Sequence, residues 1–131
     1  IKFSEYLEVK TKKENISENK IAIIYATGGI NTGEGSYNTI GSATTVKAIR
    51  KAAEDDKVKA IVFRINSPGG SALASEKLWR KLKLIGSKMP LIVSMGNYAA
   101  SGGYYMASAG DTILAEKNTI TGSIGVFGLL F

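Results

Sequence analysis

Histidine and cysteine are both absent from the sequence. Histidine is the usual general base of enzymes and the commonest metal ligand, so its absence excludes a Ser-His-Asp triad built from this chain. The absence of cysteine excludes a disulfide scaffold, a thiolate zinc site and a cysteine nucleophile. Any acyl-transfer chemistry must therefore use a variant such as serine paired with lysine, which occurs on other scaffolds.

Long apolar runs are also absent, since none reaches the ~18 residues that a transmembrane helix requires. The first residue is isoleucine, and residues 1 to 4 resemble neither a signal peptide nor a natural start. The last four residues, Gly128 to Phe131, form an apolar segment with no polar residue after it. We therefore expect this chain to be a piece of a longer protein.

The composition is that of one soluble globular domain. The chain has 131 residues, of which 44% are hydrophobic and 21% are charged. Its net charge is +6, but the basic residues are interleaved with acidic ones and lack an accompanying series of aromatic residues. This pattern favours solvated helix faces, so we expect no nucleic-acid partner.

The chain divides into a polar N-terminal segment, residues 1 to 19, and a core, residues 20 to 131. Alternation at residues 6 to 10 is compatible with one short strand in the first part. The core has buried-strand patterns at residues 20 to 27, 58 to 65 and 91 to 95, with a fourth at 112 to 115. Near-continuous apolar strands are typical of parallel sheets that are buried on both faces.

Helical spacing of apolar residues separates these strands. It predicts helices over residues 44 to 53, with Ser42 as N-cap, over 72 to 85, and over a short stretch within 101 to 109. Residues 28 to 41 are rich in Gly, Asn, Ser and Thr and predict a mobile loop. The predicted fold class is therefore α/β, with a mainly parallel sheet and crossover helices.

Two glycine-rich turns follow the second and third core strands, at residues 67 to 70 and 96 to 103. Parallel sheets bind ligands beyond the carboxyl ends of their strands, and glycine permits a close backbone approach there. We therefore expect the two turns to converge on one small site.

Ser101 is the candidate nucleophile, because it lies between small residues at a predicted strand-to-helix turn. The amides of Gly102 and of Gly69 or Gly70 could donate hydrogen bonds to the oxyanion of a tetrahedral intermediate. Each motif alone has an ordinary alternative: a serine at a helix start is usually a cap, and Pro-Gly-Gly is usually a turn.

Three motifs in this order resemble the signal peptide peptidase A family of Ser-Lys serine proteases, in the ClpP/crotonase superfamily. They are Asn66 to Ser71, Ser94 to Tyr105 and Thr121 to Val126, and the resemblance extends from about Lys20 to the end. It implies a layered ClpP/crotonase-like fold. Gly-Gly-Tyr-Tyr after the serine resembles this family more than ClpP itself.

The resemblance implies a role for each matching residue. Ser101 becomes the acylating nucleophile, and Ser123 a serine that hydrogen-bonds and positions the catalytic lysine. Gly69, Gly70 and Gly102 become the oxyanion-hole segment. No cofactor and no metal are implied. Without the resemblance, Ser123 reads as an ordinary turn serine beside a glycine.

The matching lysine is missing. In short forms of the family it lies several tens of residues after the serine, whereas only residues 102 to 131 follow Ser101. In long forms it comes from a first copy of the fold. Lys88 and Lys117 are nearest in sequence, but both lie beside turn signals and are expected to be solvated. The isolated chain should therefore have little or no peptidase activity.

The family resemblance further implies cleavage of apolar signal peptides released in the membrane. It also implies a homo-oligomer, anchored at the bacterial cytoplasmic membrane through parts outside this chain, with the catalytic domain on the extracytoplasmic side. We expect the apolar end of the chain, including Phe127, Leu129 and Phe131, to be exposed or in an intersubunit contact. Two alternatives stay open: a crotonase-like acyl-CoA enzyme and a catalytically inactive assembly domain.

Overall fold

The computed structural model describes residues 17 to 125 as a layered α/β fold. In chain order, its elements are β1 (Lys20–Thr27), β2 (Gly29–Asn31), β3 (Thr39–Gly41), α1 (Ser42–Glu54), β4 (Val58–Ser67), α2 (Ala72–Gly86), β5 (Leu91–Ala99), α3 (Gly102–Ala107) and β6 (Thr112–Leu114). No helix among these residues is both long enough and apolar enough to cross a membrane.

The main sheet has four parallel strands in the order β1, β4, β5, β6. Each neighbouring pair is separated in the chain by at least one helix, which is the connection that parallel strands require. The carboxyl ends of β4 and β5 consequently lie side by side, with Ser67 in register with Ala99.

The core fills one face of this sheet. Phe63 of β4 and Val93 of β5 are fully buried, as are Leu78 and Leu82 of α2 and Ile49 of α1. Helix α2 packs against both α1 and α3, so the three helices form one layer over the strands. The third-to-fourth-residue spacing of apolar side chains on α2 explains why one of its faces is buried.

The opposite face of the sheet carries exposed or half-buried side chains. Ile21, Ile23 and Tyr25 of β1 are 66%, 56% and 71% exposed, whereas Ile24 and Ala26 between and beyond them are buried. Arg64 of β4 lies on this face and donates to Ser94 Oγ at 2.8 Å. Within residues 17 to 125, the helices therefore cover only one side of the sheet.

Within residues 17 to 125 the predicted strands and helices are present, with two corrections. Gly41, not Ser42, is the N-cap of α1, and the Ser42 hydroxyl instead accepts a hydrogen bond from the Gly33 amide. The loop predicted over residues 28 to 41 contains two short parallel strands, β2 and β3. Ile30 and Ile40 of these strands are buried. Each is a single apolar residue among polar or small neighbours, so the sequence pattern did not predict a strand there.

Strands β4 and β5 run further than their apolar patterns indicated, to Ser67 and Ala99. The predicted strand at residues 6 to 10 lies outside the described residues. So do Phe127, Leu129 and Phe131, and with them the expected exposure of the apolar end.

Phe63→Ala should lower the free energy of unfolding by about 3–5 kcal/mol, because it removes a fully buried ring from the centre of the core. Urea denaturation followed by circular dichroism measures the change. Tyr37→Ala is the control, since Tyr37 is 96% exposed and its removal should alter stability by no more than about 0.5 kcal/mol. Equal losses in the two variants would contradict the described core.

Candidate active site

Ser101 occupies the turn between the end of β5 and the start of α3, in a conformation with φ 50° and ψ −120°. A positive φ is unfavourable for a non-glycine residue, by about 1–3 kcal/mol. Backbone hydrogen bonds hold this turn. The Ser101 amide donates to the Ser123 carbonyl at 2.6 Å, and the Ser101 carbonyl accepts from the Tyr105 amide at 2.9 Å. Ser101 thus occupies a strained strand-to-helix turn, as the nucleophilic serine of an α/β-hydrolase does.

The turn after β4 lies directly against Ser101. A Cβ placed on Gly69 would be 2.7 Å from the Ser101 Cβ and 3.1 Å from the Gly102 nitrogen. Gly69 also has φ +107°, which favours glycine. The two glycine-rich turns that the sequence singled out thus meet at the carboxyl ends of β4 and β5.

Ser67 fixes the position of the Gly69 turn. This fully buried serine donates its hydroxyl to the Gly28 carbonyl at 2.7 Å and accepts from the Gly69 amide at 3.1 Å. Its carbonyl accepts from the Ala100 amide at 3.0 Å. One residue therefore joins the ends of β1, β4 and β5.

The three candidate oxyanion glycines differ in their hydrogen bonds. The Gly69 amide is engaged by Ser67 Oγ and would have to give up that bond to serve an oxyanion. The amides of Gly70 and Gly102 have no acceptor among residues 17 to 125. A side chain at Gly102 would overlap Ser75 Oγ, so close packing accounts for glycine there.

A cavity of about 870 Å³ opens beside Ser101. Four of the five predicted site residues line it, namely Ser101, Ser123, Gly70 and Gly102, while Gly69 contacts Ser101 without lining the cavity. The other lining residues are Pro68, Ala72, Ser75, Tyr98, Ala100, Tyr104, Tyr105, Ser108, Ile120, Gly122, Ile124 and Gly125. In the described part of the chain, the walls are thus small, apolar or aromatic and carry no charged side chain.

Ser123 reaches the site through the segment that follows β6. Ile120 pairs with the end of β5, where its carbonyl accepts from the Ala99 amide at 2.9 Å and its amide donates to the Asn97 carbonyl at 2.8 Å. This pairing carries Ser123 to the Ser101 amide. Lys88 and Lys117 are exposed, and neither lines the cavity.

A group of side chains that the sequence did not single out holds one wall of the cavity, which Tyr105 and Ser108 line. The Tyr105 ring stacks on Trp79 of α2, with ring centroids 5.6 Å apart and an angle of 19° between the planes. The Tyr105 hydroxyl donates to the Glu76 carboxylate. Trp79 Nε1 donates to Ser108 Oγ at 3.1 Å, and Ser108 Oγ donates to the Tyr105 carbonyl at 2.7 Å.

The sequence spacing predicts which members of this group lie close together along one helix. Glu76 and Trp79 lie three residues apart on one face of α2, and Ser108, the C-cap of α3, lies three residues after Tyr105 of that helix. Which faces meet depends on how the two helices pack, and the sequence alone did not give that information.

Comparison with known proteins identifies the family. The profile described as Peptidase family S49 matches residues 83–130. Protease 4 of Haemophilus influenzae is 46% identical over 132 residues, which cover 97% of this chain and 21% of that protein. The chain belongs to serine peptidase family S49. Serine protease SPPA, chloroplastic, of Arabidopsis thaliana is 50% identical over 111 residues, covering 82% of the S49 chain and 16% of the relative.

This S49 chain therefore spans 21% and 16% of the length of these two curated relatives. The resemblance to the signal peptide peptidase A family that the motifs indicated is confirmed at the level of the family.

Two solved structures share the fold. A ClpP1 mutant from Listeria monocytogenes has a TM-score of 0.57 at 20% identity, covering 76% of this chain and 50% of its own. A mutant of the 1510-N membrane-bound stomatin-specific protease has a TM-score of 0.53 at 23% identity, covering 75% and 44%. At these identities the likeness concerns the fold alone, and it confirms a ClpP-like α/β architecture with a parallel sheet.

Gly69→Ala should destabilise the protein more than Gly33→Ala does. Both glycines have positive φ, so each substitution carries a backbone cost of about 1–2 kcal/mol. Only at Gly69 does the new methyl group also meet Ser101, since the space around Gly33 is empty within 4 Å. The difference in unfolding free energy isolates the contact between the turns, and equal losses would contradict it.

Hydrogen bonding to the Glu76 carboxylate raises the pKa of Tyr105 above its ordinary value of 10.0. The bond requires the neutral phenol, so it is fully present below about pH 10 and is lost as pH rises through the raised pKa. Trp79 is the single tryptophan of the sequence and reports on its stacked neighbour. Its fluorescence should therefore change only above about pH 10.

Tyr105→Phe should abolish this alkaline step, whereas Tyr37→Phe, at an exposed and remote tyrosine, should leave it unchanged. A step below pH 10, or one that persists in Tyr105→Phe, would contradict the assignment.

Proposed function

We propose that this chain supplies the nucleophile and the oxyanion hole of a Ser-Lys serine endopeptidase that degrades apolar signal peptides. The observation that carries the proposal is the strained turn at Ser101, which lies beside a cavity whose described walls carry no charged side chain. The Gly102 amide next to it has no acceptor among residues 17 to 125. Membership of family S49 supports peptide-bond hydrolysis as the chemistry.

In the proposed reaction, Ser101 Oγ attacks the carbonyl carbon of the scissile peptide bond while its proton passes to a neutral lysine. The Gly102 amide, together with an amide of the turn at Gly69 and Gly70, donates to the oxyanion of the tetrahedral intermediate. Loss of one such donor typically costs ~3 kcal/mol of transition-state stabilisation. The lysine then protonates the leaving amine, and water releases the acyl group from Ser101.

The lysine of this mechanism would come from outside the described residues, because no lysine among them lines the cavity. Ser123 would hydrogen-bond and position it. In support of this role, the Ser123 carbonyl accepts from the Ser101 amide, which places the two residues together at the cavity wall. General-base assistance is typically worth ~10²–10⁴-fold, so residues 1 to 131 alone should turn over peptides slowly or not at all.

The walls of the cavity support an apolar substrate. Ile120, Ile124 and Tyr98 offer apolar surface, and burying apolar side chains of a peptide there would be favourable by roughly 25 cal/mol per Å². A signal peptide provides such side chains. The proposal extends, through the family resemblance alone, to a homo-oligomer held at the extracytoplasmic side of the bacterial membrane by parts outside this chain.

A fluorophosphonate probe tests the assignment of the nucleophile. In the full gene product, the probe should form a covalent adduct located at Ser101 by mass spectrometry, and Ser101→Ala should reduce labelling by at least about 100-fold. Ser108→Ala is the matched control, because Ser108 lines the same cavity at the other end of α3 and should label normally. Labelling that survives Ser101→Ala would refute the proposal.

The same preparation separates the competing interpretations. Binding of an acyl-CoA without labelling of Ser101 would favour the crotonase-like enzyme. Rapid hydrolysis of a leucine-rich peptide by residues 1 to 131 alone, abolished by Ser101→Ala, would show that one of this chain's own lysines is the base.

A further inference from the structure

One wall of the cavity is held much more firmly than an exposed aromatic side chain ordinarily is. Tyr105 lies one helical turn beyond the nucleophile, and its amide donates to the Ser101 carbonyl. Although Tyr105 is 40% exposed, its ring is stacked on Trp79 and its hydroxyl donates a hydrogen bond to Glu76. Ser108 links the two aromatic residues by accepting from Trp79 and donating to the Tyr105 carbonyl.

These contacts restrict the ring. A tyrosine side chain has two rotatable bonds, and the stack and the hydroxyl bond together fix both of them. Rotation of Tyr105 away from the cavity would break the bond to Glu76 and the stack on Trp79 at once. The wall that faces a bound peptide is therefore preorganised.

Tyr105 also contacts two different electrostatic environments. On one side is the cavity, whose described walls contain no charged side chain. On the other side is the Glu76 carboxylate, which does not line the cavity and is bonded to the Tyr105 hydroxyl. A lysine or arginine side chain entering the cavity would lose hydration and, with the ring in place, would not find a counter-charge there.

We propose that Tyr105, fixed by Trp79 and Glu76, is a specificity-determining residue that makes the cavity accept uncharged apolar side chains and reject basic ones. The inference rests on the proposed function for its biological meaning. Its physical content is a binding preference, which can be measured without catalysis.

Removal of the ring should connect the cavity with Glu76. Tyr105→Ala deletes both the wall and the partner of the carboxylate, so a lysine side chain could then pair with Glu76. A charge-assisted hydrogen bond is roughly twice as strong as a neutral one, so the affinity for a basic peptide should rise by about tenfold or more. The affinity for an apolar peptide should fall, because it loses contact with the ring.

The test uses residues 1 to 131 and two acetylated, amidated alanine-based tetrapeptides that differ only in carrying leucine or lysine at one position. Isothermal titration calorimetry gives the two dissociation constants, and Trp79 fluorescence reports occupancy of the cavity. The unaltered chain should prefer the leucine peptide. In Tyr105→Ala the leucine-to-lysine affinity ratio should fall by about tenfold or more.

Three further variants identify the cause. Tyr105→Ala combined with Glu76→Gln should restore the ratio toward its original value, because the carboxylate is gone. Tyr105→Phe should keep the original preference, since the ring and its stack remain. Tyr37→Ala removes a tyrosine that is 96% exposed and does not line the cavity, and it should leave both affinities unchanged.

An unchanged ratio in Tyr105→Ala would overturn the inference. So would an equal effect of Tyr37→Ala, or failure of the unaltered chain to bind the leucine peptide. Circular dichroism controls for folding, and Tyr105→Leu, which keeps apolar contact with Trp79, gives a second variant with the same expected direction. Failure of the proposed function would show itself differently, as an absent fluorophosphonate adduct at Ser101 with the binding preference intact.

Discussion

The contact between the turn at Gly69 and Ser101 is the constraint on which the rest of the site depends. It exists because β4 and β5 are neighbours in a parallel sheet, so that their carboxyl ends deliver two turns to one place. The positive φ of Ser101 persists because the Ser67 carbonyl accepts a hydrogen bond from the amide of the preceding residue, Ala100, and the Ser123 carbonyl accepts one from the Ser101 amide.

The helices that pack on the sheet provide the second feature of the site, a cavity for a ligand beside the buried core. Helix α3 is only six residues long, and its start at Gly102 packs against Ser75 of α2. Its far end is tied to α2 through Tyr105 and Trp79. The cavity thus lies between elements that are anchored at both ends, and its shape follows from the backbone as much as from side chains.

Much of the fold could be predicted from the sequence because buried parallel strands are almost continuously apolar, as in residues 58 to 65. The helices followed from apolar spacing with little error. The strands β2 and β3 could not be predicted, since each contains one buried isoleucine among polar neighbours. Pairing of such short segments is decided by tertiary packing, which no local pattern encodes.

For the site, the sequence located both turns because glycine at positive φ and a serine between small residues are local signals. It did not reveal that the Ser67 hydroxyl already accepts a hydrogen bond from the Gly69 amide, because that hydroxyl is held by the Gly28 carbonyl at the end of another strand, β1. It likewise did not predict the contacts of Tyr105 with Trp79 and Glu76, because these residues lie on two different helices.

The exposed side of β1 has a practical consequence for handling the protein. In the described part of the chain β1 is an edge strand, paired only with β4, and it presents Ile21, Ile23 and Tyr25 to solvent. A long edge with apolar side chains is a template for adding another extended chain. At high concentration β1 is therefore the expected point of entry for intermolecular β-sheet growth, and shielding this strand is the rational route to a preparation that stays in solution.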